Sequence, residues 1–148
     1  MNILFYTDVD GDKEQILSKI SEELYKEGYV KETYKEALLK RESEFPTGLN
    51  IGDGVGIALP HTDIEHVNKE AMVIIIPKNK VKFNLMDDPQ NVIDVSVIFL
   101  LVIKDPKGYV KFLSKLTSLF QSNELKDAII KKDLQKIKQL IEPLIYFR

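Results

Sequence analysis

The middle of the chain contains a cluster of short apolar segments whose composition and spacing are those of β-strands. Residues 71–76 are wholly apolar and stop at Pro77, and residues 92–103 form the longest run rich in β-branched side chains. The other strand candidates are residues 3–6, 55–59 and 81–85. Strands that cluster in the middle of a chain, with helical patterns on both sides, are typical of an α+β domain.

Two helices should precede the central strands. The first is defined by apolar residues at helical spacing and by a glycine that suits its C-terminal end, namely Ile16, Ile20, Leu24 and Gly28. Thr33 and Glu36 have the spacing of a capping box, which predicts that a second helix begins at Thr33. Pro46 should end that helix, because proline lacks an N–H and disfavours helical backbone in the residue before it.

Three further helices should follow the last strand. Asp105 and Pro106 predict an N-cap and a first helical position, and the helix that follows carries an apolar stripe over residues 112–120. Shorter helical patterns occupy residues 124–131 and the residues from Asp133 onward. No linker or internal repeat interrupts the 148 residues, a length typical of one domain, so we expect a single domain over residues 1–148.

Charge and cysteine content narrow the classes of partner. The formal net charge is −2, so no broad field attracts nucleic acid or an anionic membrane. The chain has no cysteine, which excludes disulfides and thiolate metal sites. Its first residues lack the features of a signal peptide, and its longest strongly apolar run, residues 95–103, is too short to span a bilayer. We therefore expect a cytoplasmic protein without nucleic-acid partners or direct membrane insertion.

Both histidines of the chain lie in one glycine-rich stretch, residues 52–66. Its glycines have part of the spacing of a dinucleotide-binding fingerprint, but strand character follows them and Pro60 blocks a helix, so a loop before a strand accounts for them. His61 and His66 are five residues apart, which places them on neither one helical face nor one strand face. The H-E-x-x-H and G-x-S-x-G motifs are both absent. We therefore expect no metal, no other cofactor and no hydrolase site.

The surroundings of His61 suit a nucleophile. Neutral imidazole is nucleophilic near pH 7 and can carry a phosphoryl group. Glycines reduce the bulk before this residue, Pro60 fixes its backbone, and Thr47 and Thr62 offer hydroxyl donors for phosphate oxygens. A lone histidine beside a strand is more often structural, so on the residues alone both interpretations stay open at this point.

The sequence on both sides of this histidine resembles the signature of a known family. V-G-I-A-L-P-H-T at residues 55–62 and R-E-S-E-F-P-T-G-L at residues 41–49 are similar to motifs of EIIA domains of the fructose–mannitol class. These domains belong to the bacterial phosphoenolpyruvate-dependent sugar phosphotransferase system. A-L-P-H-T with E-H-V downstream, and D-P before the late helix, most resemble the galactitol-type branch. The resemblance covers nearly the whole chain and implies a mixed β-sheet flanked by helices on both faces, a three-layer α/β/α arrangement.

The resemblance implies a phosphotransferase component with a phosphohistidine intermediate. The phosphocarrier protein HPr would phosphorylate His61, and an EIIB domain would take the phosphoryl group for a sugar, such as galactitol, that enters through the membrane EIIC. Arg41 and Thr47 match residues near the family's site and would support the phosphate together with Thr62. The alternative is a regulatory EIIA-like protein whose phosphorylation state controls a partner. Gene neighbourhood would distinguish this regulatory role from sugar transport. A histidine-based metal or hydrolytic enzyme is a second alternative.

One departure from the family pattern concerns the late helix. Many relatives carry a second active-site histidine near its start, where this chain has Gly108 and Tyr109. Either that ring is missing or Tyr109 takes its place, and His66 should be a surface or packing residue. The small, uncharged run of residues 55–60 leads us to expect an apolar face for partner proteins.

Overall fold

The computed structural model describes residues 1–105, 107 and 109–146, apart from the side chains of Tyr109 and Tyr146. This part contains seven strands and five α-helices. In chain order they are β1 (Asn2–Val9), α1 (Lys13–Lys26), α2 (Tyr34–Glu44), β2 (Gly48–Asn50), β3 (Gly56–Ala58), β4 (Ala71–Pro77), β5 (Val81–Asn84), β6 (Val92–Val95), β7 (Val97–Val102), α3 (Tyr109–Leu119), α4 (Asn123–Ile130) and α5 (Leu134–Tyr146).

Five of the strands form one mixed sheet in the order β1-β4-β7-β3-β2. β4 pairs in parallel with β1 and antiparallel with β7, while β3 pairs in parallel with β7 and antiparallel with β2. β5 and β6 form a separate antiparallel pair. The mixed sheet expected from the family resemblance is therefore confirmed.

Helices cover both faces of this sheet and create two cores. Every residue of β4 is buried, and alternate side chains point to opposite faces, as the twofold repeat of a strand requires. Val73 and Ile75 pack in a cluster with α1, α2 and the β5–β6 pair. Met72 and Ile74 pack in the other cluster with α3, α4 and α5. A strand buried on both sides explains why residues 71–76 are apolar without alternation.

The small β5–β6 sheet lies directly against β2 and β3, and two glycines allow this approach. A Cβ on Gly56 would lie 2.2 Å from the carbonyl oxygen of Asp94, and one on Gly48 would lie 2.6 Å from that of Asn84. Real Cβ atoms do not come so close to backbone oxygens, so any side chain at either position would push the two sheets apart. These glycines therefore serve packing, whereas Gly52 and Gly54, with φ of 95° and 75°, form the loop that the sequence indicates.

The strand prediction was wrong in two places. The run over residues 92–103 is not one strand, because β6 and β7 belong to different sheets and the chain changes sheet at Ser96. The N–H of Ser96 donates to the carbonyl of Gly56, 2.8 Å away, and so pairs with a third strand at the change. The sequence also gives no sign of β2, whose three residues are held by pairing with β3.

The capping box expected at Thr33 and Glu36 is not formed. Thr33 has helical backbone angles and makes no capping bond; its hydroxyl instead lies 2.8 Å from Nδ1 of His66. The capping box occurs in α1, where Asp12 and Gln15 bond each other's backbone N–H at 2.8 and 2.9 Å. Pro106, the predicted first position of the helix after the last strand, lies outside the described residues. No helix in the described part of the chain has the length and apolar composition needed to cross a membrane.

Candidate active site

Leu59 and Pro60 separate His61 from the end of β3, and the neighbouring strand β7 fixes its backbone. His61 forms an isolated parallel bridge with Leu101 of β7. The N–H of Leu101 donates to the carbonyl of Pro60, 3.0 Å away, so the backbone just before the histidine is held by the sheet. This pairing fixes the position of the His61 backbone, to which the imidazole ring is attached.

The His61 ring is anchored by its Nδ1 atom. Nδ1 lies 2.9 Å from the carbonyl oxygen of Leu59. A carbonyl oxygen can only accept, so Nδ1 carries the proton and donates it. In the neutral ring, Nε2 therefore holds the lone pair, which is the electron pair that a nucleophile uses.

Burial lowers the pKa of His61 below its ordinary value of about 6.5. The bond to the Leu59 carbonyl raises the pKa in part, the positive charge of Arg41 lowers it, and the negative charge of Asp63 raises it. Burial is the largest of these effects, because a charged ring loses more by leaving water than a neutral ring does. The ring is therefore in its neutral, nucleophilic form near pH 7.

A pocket of about 540 Å³ opens beside this ring. Polar residues and two isoleucines line it, namely Arg41, His61, Thr62, Asp63, Ile64, Glu65 and Ile103. The structure thus brings three of the four predicted site residues to one place, with a cation, a hydroxyl and an imidazole around one space. That combination suits a tetrahedral anion next to the histidine.

Arg41 reaches this pocket from the last turn of α2. Its Nη1 lies 3.7 Å from Oδ1 of Asp63, and its guanidinium carbon lies 5.0 Å from the centre of the Phe45 ring. Its Nε is buried and has no hydrogen-bond partner among the described residues. The guanidinium is therefore held loosely, by a distant ion pair and an aromatic face, and keeps donors for a further acceptor.

Thr47, the fourth predicted residue, lies elsewhere. It is 3% exposed, does not line the pocket, and its hydroxyl donates to Oε1 of Glu42 at 2.7 Å. The same hydroxyl oxygen accepts from the N–H of Leu59 at 3.2 Å. The structure therefore replaces the expected direct phosphate contact of Thr47 with a contact to the backbone that holds His61.

Glu42 is a buried carboxylate that sequence reasoning missed. Its Oε2 accepts from the N–H of Thr47 at 2.8 Å, and the residue is only 3% exposed. Burial raises its pKa, and the two bonds from Thr47 lower it in part. The available signal was its position directly after Arg41 and five residues before Thr47, within the stretch that carries the family resemblance.

Comparison with known proteins identifies the family. Residues 2–143 match the family described as the phosphoenolpyruvate-dependent sugar phosphotransferase system, EIIA 2. The chain belongs to this EIIA family. Over 128 residues it is 31% identical to the galactitol-specific EIIA component of Escherichia coli K12, which covers 86% of this chain and 84% of that protein. It is also 28% identical over 141 residues to the mannitol-specific EIICBA component of Buchnera aphidicola, covering 93% of this chain and 21% of that protein.

Solved structures of EIIA proteins have the same fold as this domain. The complex of enzyme IIAMTL and phosphorylated enzyme IIBMTL from Escherichia coli matches with a TM-score of 0.72 at 22% identity, over 96% of this chain and 94% of that chain. The crystal structure of mannitol IIA from Escherichia coli matches with a TM-score of 0.69 at 23% identity, over 95% of each chain.

The second histidine of this EIIA domain lies apart from the pocket. Nδ1 of His66 is 2.8 Å from the hydroxyl of Thr33, and Nε2 is 3.6 Å from Oε1 of Glu65. His66 is not among the residues that line the space beside His61. Many relatives carry a second active-site histidine near the start of the late helix. In this chain, Gly108 and the side chain of Tyr109 at that place lie outside the described residues. Within the described ranges, no group of three or more potential ligands could hold a metal ion.

The expectation that residues 55–60 form an exposed apolar face is wrong for this EIIA domain. All six residues are buried, so a partner protein cannot contact them. The exposed apolar side chains beside the pocket belong to other segments. Phe45 is 61% exposed and stacks on Arg41, and Ile64 is 44% exposed and lines the pocket.

Proposed function

We propose that this EIIA domain is a phosphoryl carrier of the sugar phosphotransferase system and that His61 accepts the phosphoryl group on Nε2. The observation that carries the proposal is the anchoring of Nδ1 on the Leu59 carbonyl, which directs the lone pair to Nε2. The neutral ring and the neighbouring pocket add to it, because both are what a phosphoryl acceptor needs.

The acceptance step uses only groups at the pocket. The Nε2 lone pair attacks phosphorus, the N–P bond forms, and the bond between phosphorus and the donor breaks with its electron pair remaining on the donor. The bound phosphoryl group carries nearly two negative charges. Arg41 supplies the cation, by exchanging its 3.7 Å contact with Asp63 for phosphate oxygens, and Thr62 supplies a neutral hydroxyl donor.

The donor is the phosphocarrier protein HPr and the acceptor is an EIIB domain that works with a membrane EIIC, in the cytoplasm. The likeness to the galactitol-specific EIIA component supports sugar transport and, within it, galactitol. The shared fold with an EIIA that was solved together with a phosphorylated EIIB supports the acceptor. Phe45 and Ile64 provide the exposed apolar contacts on which such partners would dock.

A regulatory role remains the competing proposal, in which the phosphorylation state of His61 controls another protein. The fold is shared with the nitrogen regulatory protein IIA-Ntr from Neisseria meningitidis, at a TM-score of 0.60 and 21% identity over 86% of this chain. Transport is preferred because the 31% identical relative is a galactitol-specific component.

The test is incubation of the full chain with phosphoenolpyruvate, enzyme I and HPr, followed by intact-mass measurement. One phosphoryl group should be added, and omission of HPr should prevent it. The labelled chain should then lose its phosphoryl group to an EIIB domain of a galactitol-type system. A chain that stays unlabelled with all three components present would contradict the carrier function, and a labelled chain that no EIIB discharges would favour the regulatory role.

A further inference from the structure

We propose that Glu42 is a positioning residue for the phosphoryl-accepting ring, acting through Thr47 and Leu59 on the placement of His61. The inference rests on the proposed function for its consequence in phosphoryl transfer. Its geometric part, the coupling of Glu42 to the His61 ring, stands on the contacts of the unphosphorylated protein.

The first link is a clasp between the end of α2 and the start of β2. Both oxygens of Glu42 accept from Thr47, one from its N–H at 2.8 Å and the other from its hydroxyl at 2.7 Å. Both residues are 3% exposed. An ionised carboxylate can accept at both oxygens at once, so the clasp uses the charged form and fixes the direction of the Thr47 hydroxyl.

The second link runs from Thr47 to the histidine. The N–H of Leu59 is shared between the hydroxyl oxygen of Thr47 at 3.2 Å and its carbonyl oxygen at 3.3 Å. On its other side, Leu59 offers the carbonyl that holds Nδ1 of His61 at 2.9 Å. Because the hydroxyl proton is committed to Glu42, the hydroxyl oxygen presents its lone pairs to Leu59. The position of that residue, and of the carbonyl that sets the ring, therefore depends on the carboxylate.

Glu42 also shares a helix end with Arg41. Consecutive helical residues point about 100° apart, so one turn of α2 sends the guanidinium to the pocket and the carboxylate into the core. The clasp thus ties the element that carries the phosphate-binding cation to the segment that carries the nucleophile. A buried carboxylate is costly, and the charges of Lys13 and Glu14 act on it in opposite directions: Lys13 favours the ionised form and Glu14 opposes it. A purely structural junction could use apolar contacts instead.

The test measures the His61 ring and its reactivity in the same set of variants. Glu42→Gln keeps the shape of the side chain but replaces one acceptor by an amide donor, so the side chain can no longer accept from both the N–H and the hydroxyl of Thr47. Thr47→Val removes the hydroxyl and keeps the backbone. Thr47→Ser restores the hydroxyl, and Glu44→Gln changes an exposed glutamate on the same helix end as a matched control. Each variant is checked by thermal unfolding before use.

Nitrogen NMR of histidine-labelled protein reports which ring nitrogen carries the proton. In the wild type, Nδ1 of His61 should be the protonated nitrogen. In Glu42→Gln and Thr47→Val, a measurable fraction should move the proton to Nε2, and single-turnover phosphorylation from phospho-HPr should slow by about tenfold, the size of one lost charge-assisted hydrogen bond. Thr47→Ser and Glu44→Gln should match the wild type in both measurements.

A folded Glu42→Gln with the wild-type proton distribution and the wild-type transfer rate would overturn the inference. If Glu42→Gln does not fold, the contrast between Thr47→Val and Thr47→Ser decides in the same way, because both act on the second link. If wild-type protein is never phosphorylated, the proposed function fails, and the NMR arm still decides whether Glu42 controls the ring.

Discussion

His61 and His66 are five residues apart, and each has its Nδ1 within 2.9 Å of an oxygen, yet the two rings are prepared for different tasks. The partner of His61 is a carbonyl, which only accepts, so one tautomer is selected. The partner of His66 is the hydroxyl of Thr33, which can donate or accept and selects neither tautomer. Only His61 also faces the pocket that contains Arg41.

This contrast shows that the chemical nature of the partner atom matters more than the number of bonds a histidine makes. Both rings are partly buried, and both lie near an acidic residue. What distinguishes His61 is that its protonated nitrogen is occupied by the backbone while a cation and a hydroxyl surround the space beside it. A nucleophile needs that asymmetry, and a packing residue does not.

The largest expected effect comes from replacing each of the two histidines by glutamine in separate variants. His61→Gln should abolish labelling from phospho-HPr, because no other ring is prepared for attack. His66→Gln should keep labelling within about twofold of the wild type, since it changes a side chain outside the pocket. The adduct should be labile in acid and stable in base, as an N–P bond is. Labelling that survives His61→Gln, or disappears in His66→Gln, would reverse the assignment.

Arg41 should show the next largest effect. Arg41→Ala should slow transfer from phospho-HPr by about ten- to a hundredfold, because a charge-assisted bidentate contact contributes about 1.5–3 kcal/mol. Arg41→Lys should recover only part of the rate, because an ammonium cannot form the two parallel bonds of a guanidinium. Single-turnover kinetics with circular dichroism as a folding control would measure this, and a folded Arg41→Ala at the wild-type rate would reduce the site to His61 and neutral donors.

The pH dependence should separate the buried ring from an ordinary one. The pKa of His61 is lowered by burial, so its NMR titration midpoint should fall below about 6.5, and phosphorylation should persist as the pH falls to that midpoint and decline below it. Because the folded pKa lies below the unfolded value, this group's contribution to stability is present above about pH 6.5 and is lost as pH falls through the folded pKa. A midpoint at or above 6.5 would show that burial does not control the ring.

The smallest expected effect concerns salt. The exposed apolar side chains beside the pocket, Phe45 and Ile64, favour docking by packing, and the charges of Arg41 and Asp63 largely offset each other. The affinity for HPr should therefore change by less than about threefold between low and physiological salt. A steep loss of binding with added salt would indicate that charge steering dominates the partner surface.

The sequence predicted those parts of the fold and site that depend on local pattern or on a specific motif. The buried strand at residues 71–76, the helix around Ile16 to Leu24 and the loop glycines follow from periodicity and turn chemistry, and the structure contains all of them. The motif around His61 led to the correct family. These features depend on neighbours in the chain.

The parts that the sequence did not predict depend on residues that are distant along the chain. The hydroxyl of Thr33 bonds His66, 33 residues away, instead of capping α2. The division at Ser96 depends on pairing with β3, and the missing side chain of Gly56 makes room for a second sheet rather than for a partner protein. Glu42 and Thr47 are close in the sequence, but the link from Thr47 to Leu59 spans 12 residues and depends on the fold.

Nitrogen–phosphorus NMR of histidine-labelled, phosphorylated protein would test most directly whether phosphorus bonds to Nε2 of His61. Phosphorus should couple to Nε2 of His61, with Nδ1 still protonated and bonded to the Leu59 carbonyl. The ring of His66 should remain unchanged in the same spectrum. A coupling to Nδ1 of His61, or to either nitrogen of His66, would contradict phosphoryl transfer to Nε2 of His61.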